Sequence, residues 1–223
     1  MAAIVGGQQP GRMSRLAALL APLAATALLA ATVPAAHAVL PEEITVKDGG
    51  SSDPSVDISK VTAEASWYWD SEQAVRVQVP GGLRTGQRLS IWFDVDGDAV
   101  SDGHYELRLG KVKNKKQKYL AVQQEFRRGG GWTHGGKVVR CTGSEDGQPL
   151  SSPVRRGEKG LGIYLDLWGC LDVPTPGELG SGAWRVAVAV ARNGEVDMAP
   201  DHRTWSPYVA GWGPCDPSGG SCS

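Results

Sequence analysis

The chain has 223 residues, 41% hydrophobic and 21% charged, with 23 Lys and Arg against 24 Asp and Glu for a net charge of −1. That balance argues against a general nucleic-acid binder, whose affinity comes from a positive surface meeting phosphates. The length is sufficient for one domain with a sizeable core.

Residues 1–38 contain no Asp or Glu. Arg12 and Arg15 precede an apolar run, Leu16 to Val33, that closes on Ala36-His37-Ala38. A positive start, an apolar middle and a small-x-small exit follow the order of a secretory signal peptide cut before Val39. The competing reading is a membrane anchor, which needs about 20 strongly apolar residues; this run is mostly Ala and is broken by Pro22. Residues 1–12, ahead of Met13, read either as an over-extended start or as something similar to a phage-derived expression tag. Cleavage would leave 185 residues and, with Arg12 and Arg15 gone, a net charge of −3. No second apolar span follows, so the expectation is a secreted, extracellular protein with no membrane span in its mature part.

Residues 39–55, which include Lys47-Asp48-Gly49-Gly50-Ser51-Ser52-Asp53-Pro54, read as a linker. From Val56 the pattern becomes period two. Val75, Val77 and Val79 alternate with Arg76 and Gln78; Leu89, Ile91 and Phe93 alternate with Ser90 and Trp92. Leu161, Ile163, Leu165 and Leu167 share one face, and Trp184, Val186, Val188 and Val190 another. Further strands are expected near 57–65, 103–109, 117–126, 137–141 and 203–209. Such alternation, cut by Gly, Pro, Asn and Asp, marks half-buried antiparallel strands. Residues 56–210 are therefore expected to form an all-β, antiparallel two-sheet β-sandwich, immunoglobulin-like or jelly-roll-like, with a closed barrel as the alternative. Residues 211–223 read as an irregular tail.

All four cysteines, Cys141, Cys170, Cys215 and Cys222, lie after the leader. An even count in an exported chain points to two disulfides. Three pairings exist; Cys141–Cys170 and Cys215–Cys222 are favoured because each brackets a local closure.

Several features could carry chemistry. Asp94, Asp96, Asp98 and Asp102 sit on a Gly-containing turn between two expected strands. Calcium takes six to eight hard oxygens, which closely spaced Asp side chains can supply. The Asp-x-Asp-Gly-Asp core is similar to thrombospondin-type calcium loops, while no Glu occupies the EF-hand's twelfth position. A plain polar turn is the other reading, since Asp and Gly favour turns. Eight Trp stand against two Phe. Trp67 and Trp69 would share a strand face, and Trp132 lies in the Gly-rich stretch Gly129 to Gly136, so these three are the candidate ligand platform; Trp92, Trp168 and Trp184 occupy core-like strand positions. Lys111, Lys113, Lys115, Lys116 and Lys118 crowd a turn that reads either as a patch attracting anionic cell-wall polymers or, in preference, as a solvated tip discouraging edge-to-edge pairing. The histidines after the leader, His104, His134 and His202, fall in no His-Glu-x-x-His motif, and no Gly-x-Ser-x-Gly is present.

Phe93-Asp94-Val95-Asp96-Gly97-Asp98, Val139-Arg140-Cys141, Gly169-Cys170-Leu171-Asp172-Val173-Pro174, Trp184-Arg185-Val186-Ala187-Val188 and Asp197-Met198-Ala199-Pro200-Asp201 together resemble a β-sandwich domain family of secreted actinobacterial proteins that has no established activity. The resemblance spans about residues 55 to 210 and implies a bridge between Cys141 and Cys170. More distantly, the strand and acidic turn resemble family 9 carbohydrate-binding modules. Leu150 to Lys159 departs from the family pattern as an insertion-like stretch. The expected function is a non-catalytic binding module for carbohydrate or cell-envelope polymer, with calcium as the candidate cofactor. The alternatives are an extracellular structural or protein-interaction domain and, behind it, a secreted hydrolase.

Overall fold

Side chains that are apolar at every second position need a flat surface to bury against, and two antiparallel sheets supply it to each other. A computed structural model describes residues 40–50, 53–65, 72–111, 118–141, 153–173 and 182–210. In chain order the strands are β1 (Glu43–Lys47), β2 (Lys60–Ala65), β3 (Glu72–Gln78), β4 (Arg88–Asp94), β5 (Gly103–Gly110), β6 (Ala121–Arg128), β7 (Lys137–Val139) and β8 (Gly160–Asp166). A short helix, α1 (Leu167–Leu171), follows β8, and then come β9 (Ala183–Arg192), β10 (Glu195–Ala199) and β11 (Val209–Ala210). The smaller sheet runs β1-β2-β3-β8. The seven-stranded sheet runs β10-β9-β4-β5-β6-β7, with β11 also paired to β9. Among the described residues every strand pairing is antiparallel. The fold is the expected all-β two-sheet sandwich.

Register explains the core. In the small sheet Val61 lies opposite Val77, which lies opposite Leu161, and Ala63, Val75 and Ile163 form the next row. In the large sheet Ile91 is flanked by Tyr105 and Val188, and Leu89 by Leu107 and Val190. These inward rows make one buried cluster between the sheets, with Trp184 fully enclosed. Cys141, just past β7, bonds to Cys170 on α1 with a Cα–Cα distance of 4.8 Å. Since α1 continues directly from β8, this disulfide joins the edge of the large sheet to the end of the small one. Gln73 Oε1 accepts from Leu167 N at 2.9 Å inside the core, and Asp166 caps the helix by accepting from Gly169 N at 3.0 Å.

The structure corrects some of the sequence reading. The supposed linker contains β1, whose Ile44 is buried against the core. Leu167 belongs to α1 rather than to a strand. The strand expected over 203–209 is reduced to β11, preceded by a 3-10 turn at Asp201–Arg203. The strand pairing there is made largely by β10, which turns back on β9 through Asn193 and Gly194 at φ of 52° and 90°; Asn-Gly at such angles is the tight hairpin signal. Part of the insertion-like stretch is also structural: Leu120 N donates to Val154 O at 2.9 Å and Arg156 N to Lys118 O at 3.0 Å. Cys215, Cys222, residues 1–38 and the centre of the lysine-rich turn lie outside the described residues. Among the described residues no helix is long and apolar enough to cross a membrane.

Candidate functional site

If Leu89, Ile91 and Phe93 point into the sandwich, then Ser90, Trp92 and Asp94 point out, and on β5 so do His104, Glu106 and Arg108. Trp92 lies directly opposite His104, Ser90 opposite Glu106, and Glu106 opposite Glu125. An outward face should meet water. Yet His104 is 0% exposed, Trp92 5% and Glu106 6%.

The cover comes from two loops. Residues 129–136 carry Trp132 and His134 over the sheet. Trp132 leans on Trp92 (centroids 5.7 Å apart, planes at 49°), and His134 lies 5.0 Å from the His104 ring. The segment after β10 adds Trp205, 4.6 Å from Trp132 with planes at 39°, tied down by Trp205 Nε1 donating to Ala99 O at 3.1 Å. The Arg185 guanidinium is 5.5 Å from the Trp205 ring and 4.8 Å from that of Tyr208.

Beneath this cover His104, Glu106 and His134 converge. His134 Nδ1 is 3.2 Å from Glu106 Oε2 and 3.4 Å from His104 Nε2, and His104 Nε2 is 4.0 Å from the same carboxylate oxygen. The other oxygen, Oε1, accepts from Arg108 Nε. Burial pushes His104 down to about 4, with His134 and nearby arginines adding to the effect; burial likewise lowers His134, aided by Arg88. Both rings are therefore neutral at neutral pH and keep a lone pair for hydrogen bonding or coordination. His104 Nδ1 and Trp92 Nε1 are buried without a hydrogen-bond partner.

The acidic turn is built differently from what its spacing implied. Asp94 is wholly buried. Its Oδ1 accepts from Gly97 N at 2.7 Å, and its Oδ2 accepts from Ala99 N at 3.0 Å and from Arg185 Nε and Nη2 at 2.8 and 2.5 Å. Asp96 Oδ1 accepts from Asp98 N, Asp98 Oδ1 from Val100 N, and Asp102 Oδ2 from Val95 N. The carboxylates thus fold the turn, and Arg185 supplies the positive charge at its centre. Asp94, Asp96 and Asp102 still bring one oxygen each within 4.8 Å of one another, while Asp98 stands apart from that group. Burial, with Asp96, Asp94 and Asp98 adding, raises the Asp102 carboxyl against the lowering effect of its bond from Val95 N.

Of the three tryptophans expected to form a platform, Trp132 is half-buried in the cluster just described, tilted against its neighbours rather than coplanar with them. Trp67 and Trp69 lie outside the described residues. Sequence reasoning missed Trp205, Arg185, His104, Glu106 and His134 as site residues. The alternation His104-Tyr105-Glu106 was the available signal, since it places both outer side chains on one sheet face.

Fold and face together define a disulfide-linked β-sandwich whose large sheet carries a roofed cluster of aromatic, imidazole and carboxylate groups on its outer side. No protein-family model matches the chain, and neither the curated proteins nor the solved structures contain a match.

Proposed function

We propose that this domain is a secreted, non-catalytic binding module whose ligand surface is the outer face of the seven-stranded sheet around Trp132 and Trp205, with carbohydrate or cell-envelope polymer as ligand. The observation that carries the reading is the half-exposed Trp132–Trp205 pair beside Arg185 and Tyr208. Aromatic rings with hydrogen-bonding neighbours at a partly wet surface suit ligands that are apolar on one side and polar on the other, as pyranose rings are. Secretion is supported by the leader-like residues 1–38 and by a disulfide of the kind that persists in oxidising compartments. Calcium on Asp94, Asp96 and Asp102 is the weaker part of the reading, because Arg185 already neutralises Asp94.

The test is a pull-down of the oxidised protein on insoluble polysaccharides and purified cell wall, with and without EDTA. Binding lost in Trp132→Ala and Trp205→Ala, with an unchanged fold, supports the proposal; binding to none of the polymers removes it. The alternative, a protein-interaction domain, is favoured by Val138 and Val196, 53% and 56% exposed on the edge strands β7 and β10. It predicts binding that survives the tryptophan substitutions.

A further inference from the structure

We propose that His104, Glu106 and His134 form a site for one divalent transition-metal ion of the zinc class. This site is distinct from the acidic turn and does not depend on the carbohydrate reading. Three facts lead to it.

The first is geometric. The three facing atoms are separated by 3.2, 3.4 and 4.0 Å. The centre of the circle through such a triangle lies about 2.1 Å from each atom, which is the bond length of zinc to imidazole nitrogen and carboxylate oxygen.

The second is the state of His104. It is fully buried, and its Nε2, the atom that faces the other two, has only the long 3.4 Å contact to His134 and a 4.0 Å approach to Glu106 Oε2. A buried polar group left this poorly satisfied is destabilising. A hydrogen-bonded His–Glu pair accounts for His134 and Glu106 but leaves His104 unexplained. A cation at the shared point satisfies all three atoms at once.

The third is the surroundings. Arg108 holds Glu106 by its other oxygen, leaving Oε2 for the ion, as outer partners do at metal centres. Trp92 stacks on His104 at 5.3 Å with planes 14° apart and fixes the ring. His134, 41% exposed, leaves a route in and a side open to solvent or a fourth ligand. Two imidazoles and one carboxylate match transition metals and mismatch calcium, which takes an all-oxygen set.

The experiment uses the untagged, oxidised protein stripped with EDTA and titrated with Zn²⁺ by calorimetry, then with Co²⁺ while recording visible absorption and tryptophan fluorescence. One equivalent of Zn²⁺ is expected. Co²⁺ should give a d–d band and quench tryptophan emission through Trp92 and Trp132. Because His134 is on an exposed loop, His134→Ala should fold as the parent does and lower Zn²⁺ affinity by about 100-fold or more, and Glu106→Gln should do the same. Asp96→Asn, on the acidic turn, should leave Zn²⁺ binding unchanged. Absence of a stoichiometric Zn²⁺ equivalent overturns the site. So does Zn²⁺ binding that persists in both His134→Ala and Glu106→Gln, or Co²⁺ binding to the parent without fluorescence quenching, a readout that needs no variant to fold.

Discussion

Trp92 and His104 stack face to face across β4 and β5, ring centres 5.3 Å apart and planes 14° from parallel, on the side of the sheet that points away from the core. Everything unusual about the outer face is arranged around that pair. Trp92→Ala should cost about 3–5 kcal/mol in chemical denaturation, a core-sized penalty for a residue outside the core. A loss below about 1 kcal/mol would mean that the two covering loops do not pack on it.

Asp94 gives a second contrast. Replacing it with Ala removes the acceptor for two backbone N–H groups and strands the guanidinium of Arg185, whose side chain is only 16% exposed. The expected loss is about 3–5 kcal/mol. Asp96→Asn, on an exposed residue of the same turn, should stay within about 0.5 kcal/mol. Denaturation midpoints of the two variants in EDTA separate a turn held by Arg185 from one held by an ion.

The Cys141–Cys170 bridge closes a sequence separation of 29 residues. Its removal by double substitution to Ser should lower stability by about 3–4 kcal/mol through the freer unfolded chain. Thermal melts of the Ser variant against the oxidised parent check this.

Asp48 sets a pH dependence. Burial raises its carboxyl to about 6, and the neighbouring Asp197 and then Asp201 add to the rise. Below pH 3.8 both folded and unfolded chains hold this proton, while between 3.8 and about 6 only the folded one does. Stability from this group is therefore present at low pH and lost as pH rises through about 6. Asp48→Asn should be more stable than the parent at neutral pH by about 1 kcal/mol, discounted for partial exposure. That advantage should vanish near pH 4 and below, as seen in urea midpoints across the range.

Gly130 tests the roof. It sits at φ of 91°, and a Cβ there would come 2.5 Å from the Gly135 carbonyl. Gly130→Ala should displace the loop that carries Trp132 and His134 while leaving the inter-sheet core intact, at a local cost of about 1–3 kcal/mol. The signature is altered tryptophan fluorescence and weakened Zn²⁺ binding with near-native strand content by circular dichroism.

Much of the sandwich was readable before the structure because period-two burial is a local property: Leu89, Ile91 and Phe93 declare their shared face within five residues. Strand β1 was missed because Glu43–Lys47 shows only Ile44 and Val46 among polar neighbours, and its pairing partner β2 begins thirteen residues on from its end. Trp92 occupies a core-like strand position and is packed. What covers it was not readable, since Trp132, His134 and Trp205 arrive from loops far along the chain.

The alternation of apolar side chains, the turn residues and the even cysteines determined by themselves an all-β, two-sheet, disulfide-bonded domain, because each signal is carried by neighbours in the chain. Only the tertiary structure decided which face matters. It turned the Asp-rich run into a turn centred on Arg185 and brought His104 within 3.4 Å of His134, thirty residues away. Such convergence depends on where loops fold back over a sheet, and that is set by long-range packing, which leaves no period in the sequence.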